Sequence, residues 1–451
     1  MSFLDYSRKL RVSGSYDVIV AGGGFAGVCA AVSSARKGAG TLLIEHYGFL
    51  GGAATAGLVR GFWATVDGVG YVFQEIYDGL KRLGALRESK DYAEEYLKHH
   101  PPGVGFDEEY LKYILQDLVL KSGVDLRLHS RVIDVIKDED RVGYLVVHGK
   151  SGIEALKARI VIDATGDGDV AALAGADFKK GRESDGRQLA MSLHFKLLDT
   201  GEKVKPVLPE SCQEYESFED LPFSPELRPK VIGLDPTDTG ELTKAEILAR
   251  KQVMSIAHYM QKRGHPTYKL VSVAPQIGVR EGRRIIGDYV LTEEDIVQGR
   301  KFPDVIAVGT SQIDFHDIDE YGDKGSRREA VPPYQIPYRC ILVKGIENML
   351  TAGRCTSSDQ VAQSAYRMIP TCAALGQAAG TAAALAVKSK VKLREMRVET
   401  LQGILAEDGV KFDGVPAFLK PSGEASPTPS DVQRSRERLA KLDELAVGNK
   451  G

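Results

Sequence analysis

Residues Gly22-Gly23-Gly24-Phe25-Ala26-Gly27 satisfy the pattern GxGxxG in the one setting where that pattern is informative. A short apolar run, Tyr16–Ala21 (YDVIVA), precedes it, and a small-residue segment, Phe25–Lys37, follows it with helical character. Thr41–Glu45 (TLLIE) is a second apolar run that ends in an acid. Strand, glycine turn, helix and strand in this order start a parallel α/β sheet. Gly22 permits the tight turn, Gly24 lets the backbone approach a pyrophosphate, and Gly27 lets the helix pack on the strand. The helix N-terminus adds N–H donors and partial positive charge. Glu45 lies about 20 residues on, where a carboxylate accepts hydrogen bonds from ribose hydroxyls. A dinucleotide ligand is the expectation.

Farther along, the pattern changes. Four strand-like runs between Asp125 and Asp163 (DLRL, RVIDVIK, VGYLVVH, ARIVID) form a β-meander that returns to one more apolar strand, and ATGDGD (Ala164–Asp169) follows it. Residues 181–344 differ again, with prolines between Lys205 and Pro236 and a helical pattern over Lys244–Lys262. From Asn348 the Gly/Ala character returns in NMLTAGR and a long Ala-rich helix. The last sixty residues open with a helical segment (RVETLQGILAEDGV) and continue into a polar tail.

Charge and cysteine usage exclude several classes. Fifty-nine basic against 62 acidic side chains give a net charge of −3, which argues against a nucleic-acid partner. The five cysteines are scattered, with no CxxC pair, so a disulfide framework or structural zinc site is not expected and a cytoplasmic location is. The first residues hold no apolar run, so no signal peptide is expected. The weakly polar stretch Thr371–Val387 is short and contains Gln377, which reads as a buried helix and not a membrane span.

A second glycine loop, Gly48-Phe49-Leu50-Gly51-Gly52, follows the Glu45 strand directly. A nicotinamide dehydrogenase seldom needs it, whereas an extended FAD needs a path for its ribityl chain and ring. The set GGGFAG…E, GGAATAG (Gly51–Gly57), ATGDGDVAA, REGRRIIGDYVLTEEDI (Arg280–Ile296) and NMLTAGRC…QAAGTAAALA resembles the FAD-dependent oxidoreductase family with a glutathione-reductase-like flavin domain. The likeness runs from about Tyr16 to Val387. It implies FAD as cofactor and an α/β chain in which a Rossmann-like FAD-binding domain (parallel sheet plus β-meander) carries an inserted α+β substrate domain. The expected boundaries are 1–180 for the first part of the FAD domain, 181–344 for the substrate or cap domain, 345–391 for the final part, and 392–451 for a C-terminal helix and polar tail. Residue by residue, the resemblance implies that Gly22, Gly24, Phe25, Ala26 and Gly27 hold the pyrophosphate and Glu45 the adenosine ribose. It places Val132 at the base, Thr165 and Gly166 on the adenosine side, and Gly51, Gly52 and Ala53 along the route to the flavin. Gly353 and Arg354 would face the ribityl chain, and a helix starting at Thr371 would point its N-terminus at the ring.

No second GxGxxG follows a strand beyond residue 60, which disfavours a separate NAD(P)H domain. Hydride transfer to flavin needs a substrate C–H near the ring and a base for the accompanying proton. Asp314-Phe315-His316-Asp317 places a histidine between carboxylates, so His316 is the first candidate base, with a solvated acidic loop as the alternative. Met191-Ser192-Leu193-His194-Phe195 alternates as a strand with Ser192 and His194 on one face, so His194 is either a wall of the site or a buried structural histidine. Arg280 and Arg284 would share a face if their segment is helical, and Arg280 would clamp a carboxylate or phosphate, unless Glu281, Glu293 or Glu294 claims these arginines. Tyr289 is a proton donor or core. A metal on Asp314, His316, Asp317, Asp319 and Glu320 lacks a defined ligand geometry, and none is expected. A Cys355–Cys372 dithiol and covalent flavin attachment at His46 are weaker ideas.

The expectation is an oxidoreductase transferring a hydride between a small polar metabolite (a hydroxy compound or sugar derivative) and FAD. Its partners are a small-molecule substrate and an unidentified electron donor or acceptor. No nucleic acid or membrane is expected, and a homo-oligomer stays open. The alternatives are reduction of an activated C=C bond, tRNA modification, and a non-catalytic FAD-binding protein.

Overall fold

The computed structural model describes residues 4, 6–87, 103–217, 229–316, 318–319 and 326–418. Strand β1 (Arg11–Ala21) is exposed or half-buried over its polar first half and fully buried over Val18–Ala21, the apolar end that meets the glycines. Helix α1 (Phe25–Arg36) follows, then β2 (Thr41–Ile44), buried along its whole length as a strand covered on both faces must be. The meander supplies β3 (Asp125–Arg127), β4 (Arg131–Asp138), β5 (Arg141–Gly149) and β6 (Gly152–Asp163). The sheet runs β3-β2-β1-β6-β5-β4, with a last short strand, β7 (Met349–Thr351), also on β6.

Strand β6 organises this sheet because of its length. One edge pairs with β1 in parallel up to Ala21 opposite Asp163. On the other edge its first half pairs antiparallel with β5, and its end takes β7 in parallel, Thr351 opposite Asp163. Ala21, Ile44, Asp163 and Thr351 therefore finish at one edge of the sheet, and the turns that follow them are brought together there. In open α/β sheets ligands bind at this carboxyl edge.

Behind the sheet, α1 crosses the long helix α3 (Ile369–Ser389) at very short range. A Cβ built on Gly376 would lie 2.1 Å from the Ala26 carbonyl oxygen, and one on Gly380 2.0 Å from that of Ala30. The Gly/Ala composition of both helices is the condition for this approach. The expected buried helix is thus the core helix of the fold. It starts at Ile369, two residues before the expected Thr371, with Pro370 in the first turn, where its missing N–H costs nothing.

The inserted region does not pack as one body from 181 to 344. Strands Phe195–Asp199 and Tyr268–Val273 pair antiparallel beside helix α2 (Thr239–Lys262). These elements share a small core of Met191, Leu193, Val231, Ala245, Ala249, Val253, Ala274 and Ile277. Leu291, Ile296, Ile306, Ala307, Tyr334 and Ile336 instead belong to the core of α1 and α3. The separate layer therefore ends near residue 279. Helix α2 starts at Thr239, ahead of the expected Lys244, because the Asp238 side chain accepts from the Glu241 N–H at 2.8 Å and caps it. The expected C-terminal helix is present at Val398–Glu407, whereas the tail beyond residue 418 and part of the proline-rich stretch lie outside the described residues.

Candidate functional site

The two glycine loops are laid against one another by their backbones. Gly22 turns with φ +99°, and a Cβ there would lie 2.5 Å from the Ala164 carbonyl oxygen. The Gly51 N–H donates to the Gly23 carbonyl at 2.8 Å, and Gly51 pairs with Gly24 in a parallel bridge. Gly52 has φ +53°, and a Cβ on it would come 2.9 Å from the Gly24 Cα, so no side chain fits between the loops. Gly24 is different: a Cβ there would meet nothing nearer than the Gly52 Cα at 3.8 Å, because that side opens into a cavity. Gly24 is also the N-cap of α1, with no side-chain cap and no acid in the first turn. The positive end of the helix therefore faces the same opening.

That cavity has a volume of about 500 Å³. Its walls include Gly22, Gly24, Phe25, Ala26, Glu45, Gly51, Gly52, Ala53, Val132, Thr165, Gly166, Gly353 and Arg354, thirteen of the fifteen expected cofactor residues. The other two, Gly27 and Thr371, are not on the wall. Gly27 is packed against the turn: a Cβ there would lie 1.8 Å from the Gly22 oxygen, the close helix–strand contact expected of it. Thr371 is buried inside the first turn of α3, and Met368, Ile369 and Cys372 face the cavity in its place.

Local hydrogen bonds hold the walls. Buried Glu45 accepts from the Gly23 N–H at 2.7 Å and the Tyr47 N–H at 2.9 Å, with His46 Nδ1 at 2.8 Å. Asp163 accepts from the Thr165 N–H and hydroxyl and from the Ala171 N–H, which shapes the ATGDGD turn. Burial pushes its pKa up to about 6 against the pull of those donors. Arg354 bridges three segments, donating to Asp167 Oδ1 at 2.6 Å, the Gly166 carbonyl at 3.0 Å and the Val279 carbonyl at 2.5 Å. Burial raises the Asp167 pKa, and Arg354 opposes that.

Two polar clusters occupy the rest of the wall. In the first, His316 Nε2 lies 3.1 Å from Asp314 Oδ2, and Arg367 donates to the same oxygen at 2.9 Å. Burial would raise the Asp314 pKa, but His316, Arg367 and Arg328 outweigh it and hold the carboxyl well below its usual range. In the second, Ser192 and His194 face the cavity while Met191 and Leu193 are buried in the small core, but the expected strand is not continuous here: Met191 and Ser192 make isolated bridges and the strand starts at Phe195. His194 Nδ1 sits 3.0 Å from the Leu58 carbonyl, and Arg280 Nη1 donates to the Ala190 carbonyl at 2.7 Å and Ser192 Oγ at 2.8 Å. His316, His194 and Arg280 therefore line one cavity although the sequence separates them widely.

Other expectations are corrected. The Arg280 segment is extended and not helical, so Arg280 and Arg284 share no helix face. Glu281 is buried and accepts from Arg284, Gln360 and the Gly181 and Leu189 N–H groups. Tyr289 donates to Asp295 at 2.9 Å, away from the cavity; burial and that carboxylate push its pKa up to about 12. Among the described residues no group of three His, Cys, Asp or Glu converges on a metal site: Asp319 pairs with Arg182 and Arg187, and Asp317 and Glu320 lie outside the described residues. Cys372 is on the wall but Cys355 is not, and burial raises the pKa of both thiols, that of Cys372 to about 12, which disfavours a redox dithiol. His46 abuts Glu45, the end assigned to adenosine and not to the flavin ring. Sequence reasoning missed Trp63 and Arg367. The Trp63 ring fills the space beside Gly61 and Gly103, and Arg367 lies two residues before the start of α3.

The profile described as FAD dependent oxidoreductase matches residues 17–231 and 213–405. The chain belongs to the FAD-dependent oxidoreductase family. Its cofactor is FAD and it is an oxidoreductase. The cavity fits that cofactor, with a Cβ-free cradle at Gly24, an uncapped helix N-terminus beside it and a carboxylate at Glu45. A comparison with curated proteins finds no match. Among solved structures, the chain is similar to a geranylgeranyl bacteriochlorophyll reductase-like protein from Thermoplasma acidophilum, with 15% identity and TM-score 0.42 over 96% of this chain and 91% of that one. It is also similar to a p-nitrophenol 4-monooxygenase from Pseudomonas putida DLL-E4, with 13% identity and TM-score 0.44 over 96% and 97%.

Proposed function

We propose that this FAD-dependent oxidoreductase oxidises a small polar metabolite, a hydroxy compound or sugar derivative, with His316 taking the hydroxyl proton. When bound, FAD supplies the hydride acceptor. The observation that carries the reading is the Asp314–His316 pair on the cavity wall. An ionised carboxylate only accepts, so the Asp314 contact places a hydrogen on His316 Nε2. Arg367 keeps Asp314 ionised, and the pair fixes the ring. Gly24, Gly52, Glu45 and the N-terminus of α1 would hold the cofactor, and Arg354 would brace the turns around it. With no second GxGxxG in the sequence, the electron acceptor would use this same cavity.

Reduction of an activated C=C bond is the second reading, favoured by Arg280 on the wall as a cationic proton donor. Anaerobic mixing of the FAD-loaded enzyme separates the two. Hydroxy acids and sugars should bleach the oxidised flavin under the first, and enoates should reoxidise photoreduced enzyme under the second. Under the first reading His316→Gln should slow bleaching by roughly 10²–10⁴-fold with FAD still bound. Bleaching at an unchanged rate in that variant would remove His316 as the base.

A further inference from the structure

Resting on the oxidation reading above, we infer that Trp63 is the residue on which the substrate stacks, that Gln276 reads hydroxyls beside it, and that the substrate is a cyclic sugar derivative and not an open-chain hydroxy compound. Trp63 is the chain's only tryptophan, it is half-buried, and it faces the cavity. The backbone turns it there. The short strand Gly61–Phe62 pairs antiparallel with Val104–Phe106, Phe62 opposite Val104. Phe62 is fully buried, with the rings of Phe25, Phe73 and Phe106 centred 5.9, 5.0 and 4.7 Å away. The next residue leaves on the opposite side, toward the cavity.

The indole is placed by what its neighbours lack. A Cβ on Gly61 would lie 2.6 Å from Trp63 Cε2, and one on Gly103 2.3 Å from Trp63 Cε3. The ring therefore lies over two residues without side chains, which support one broad face and leave the other to the cavity. A platform fixed in this way loses little conformational entropy when a ligand covers it. It stands at the same end as the candidate base: the Thr65 N–H donates to Thr310 Oγ1 at 2.9 Å, and from Thr310 the chain runs directly into the strand Ile313–Phe315 that carries Asp314. Gln276 reaches the wall from the inserted layer, its N–H donating to the Ala56 carbonyl at 3.2 Å. Among the described residues neither the Gln276 side-chain amide nor the Trp63 Nε1–H has a hydrogen-bond partner.

An indole face gains most from a flat apolar surface, and an amide that both donates and accepts suits hydroxyl groups. A sugar ring carries both, with C–H bonds on its face and hydroxyls around its edge. An open-chain hydroxy compound has no such face, and a plain aromatic ring has no hydroxyl edge.

The test is calorimetry of the FAD-loaded protein with the methyl pyranosides of glucose, galactose, mannose and xylose, against the matching open-chain alditols and benzyl alcohol, with the Trp63 emission followed in parallel. At least one pyranoside should bind saturably, change the emission, and bind roughly tenfold or more tighter than its alditol and than benzyl alcohol. Trp63→Ala should lower that affinity by roughly tenfold or more, Trp63→Phe should recover part of it, and Gln276→Ala should lower it by roughly three- to tenfold, all with FAD affinity unchanged. If Trp63→Ala does not fold, Trp63→Phe and Gln276→Ala should each still give a loss confined to pyranosides. Absence of pyranoside binding overturns the inference, as does equal binding of alditols or benzyl alcohol. A pyranoside affinity that survives either the Trp63 or the Gln276 substitution overturns it too, and so does an equal loss of FAD affinity in those variants, which would assign the two residues to the cofactor. Pyranoside binding that depends on Trp63 while no free sugar bleaches the flavin would instead overturn the oxidation reading and leave the platform standing.

Discussion

Replacing Gly376 by alanine sets helix propensity against packing. Alanine is favoured over glycine in a helix interior by about 1 kcal/mol. Against this, the new Cβ would lie 2.1 Å from the Ala26 carbonyl oxygen, an atom of the opposing backbone that no rotamer change can move. Restoring ordinary contact requires α1 and α3 to part by roughly 1.3 Å. Overpacking on that scale costs about 1–3 kcal/mol, and a backbone clash belongs at the upper end, so the net expectation is a loss of about 2 kcal/mol. Ala26 also lines the cavity half a turn from Gly24, so the shift should weaken FAD binding by roughly tenfold or more. Gly380→Ala makes the same clash at Ala30, one turn farther from the cavity, and should cost similar stability with less effect on FAD. Gly403, in the helix Val398–Glu407, has nothing within 4 Å of its Cβ position, and Gly403→Ala should gain about 1 kcal/mol. Urea unfolding of the apo-proteins followed by circular dichroism, with FAD affinity from quenching of flavin fluorescence, measures all three. If Gly376→Ala matches or exceeds the parent in stability and in FAD affinity while Gly403→Ala behaves as expected, the close helix crossing is not what shapes this site.

Gly24→Ala should leave apo-protein stability within about 0.5 kcal/mol, since the added methyl enters open space, and should weaken FAD binding by roughly tenfold or more because that space is the cofactor's. Unchanged FAD affinity would mean the cradle is elsewhere. Asp163 has a folded pKa of about 6, above its ordinary 3.8, so the folded state holds the extra proton between those values. Its contribution is complete below about pH 4 and is lost as pH rises through 6, by about 3 kcal/mol at most. Asp163→Asn should therefore flatten this part of the pH dependence relative to the parent in urea unfolding from pH 4 to 7, and parallel curves would refute the assignment. Asp314→Asn strands the buried Arg367 charge and should destabilise the protein by about 3 kcal/mol, besides slowing any bleaching that depends on His316. A stability change below about 0.5 kcal/mol would show that Arg367 does not depend on Asp314.

The glycine cradle was legible in the sequence because its physics is local. A tight turn, an absent Cβ and a helix start are properties of six consecutive residues, and Glu45 comes to them along one helix and one strand. The alternation that turns Ser192 and His194 to one side was legible for the same reason, although the strand itself starts only at Phe195. The Arg280–Arg284 spacing misled because four residues apart describes both one helix face and an extended segment; in the extended segment buried Glu281 gathers donors from four places in the chain, contacts that spacing does not encode. The end of the inserted layer also escaped the sequence, because apolar residues after 285 look alike whichever core they enter.

The sequence by itself determined the cofactor class and the first βαβ unit, since short-range geometry dictates both. Tertiary structure alone decided that His316, His194, Arg280, Arg367 and Trp63 share one cavity. Their meeting depends on where the inserted layer lands over the carboxyl edge of the sheet, and no spacing along the chain encodes that distance.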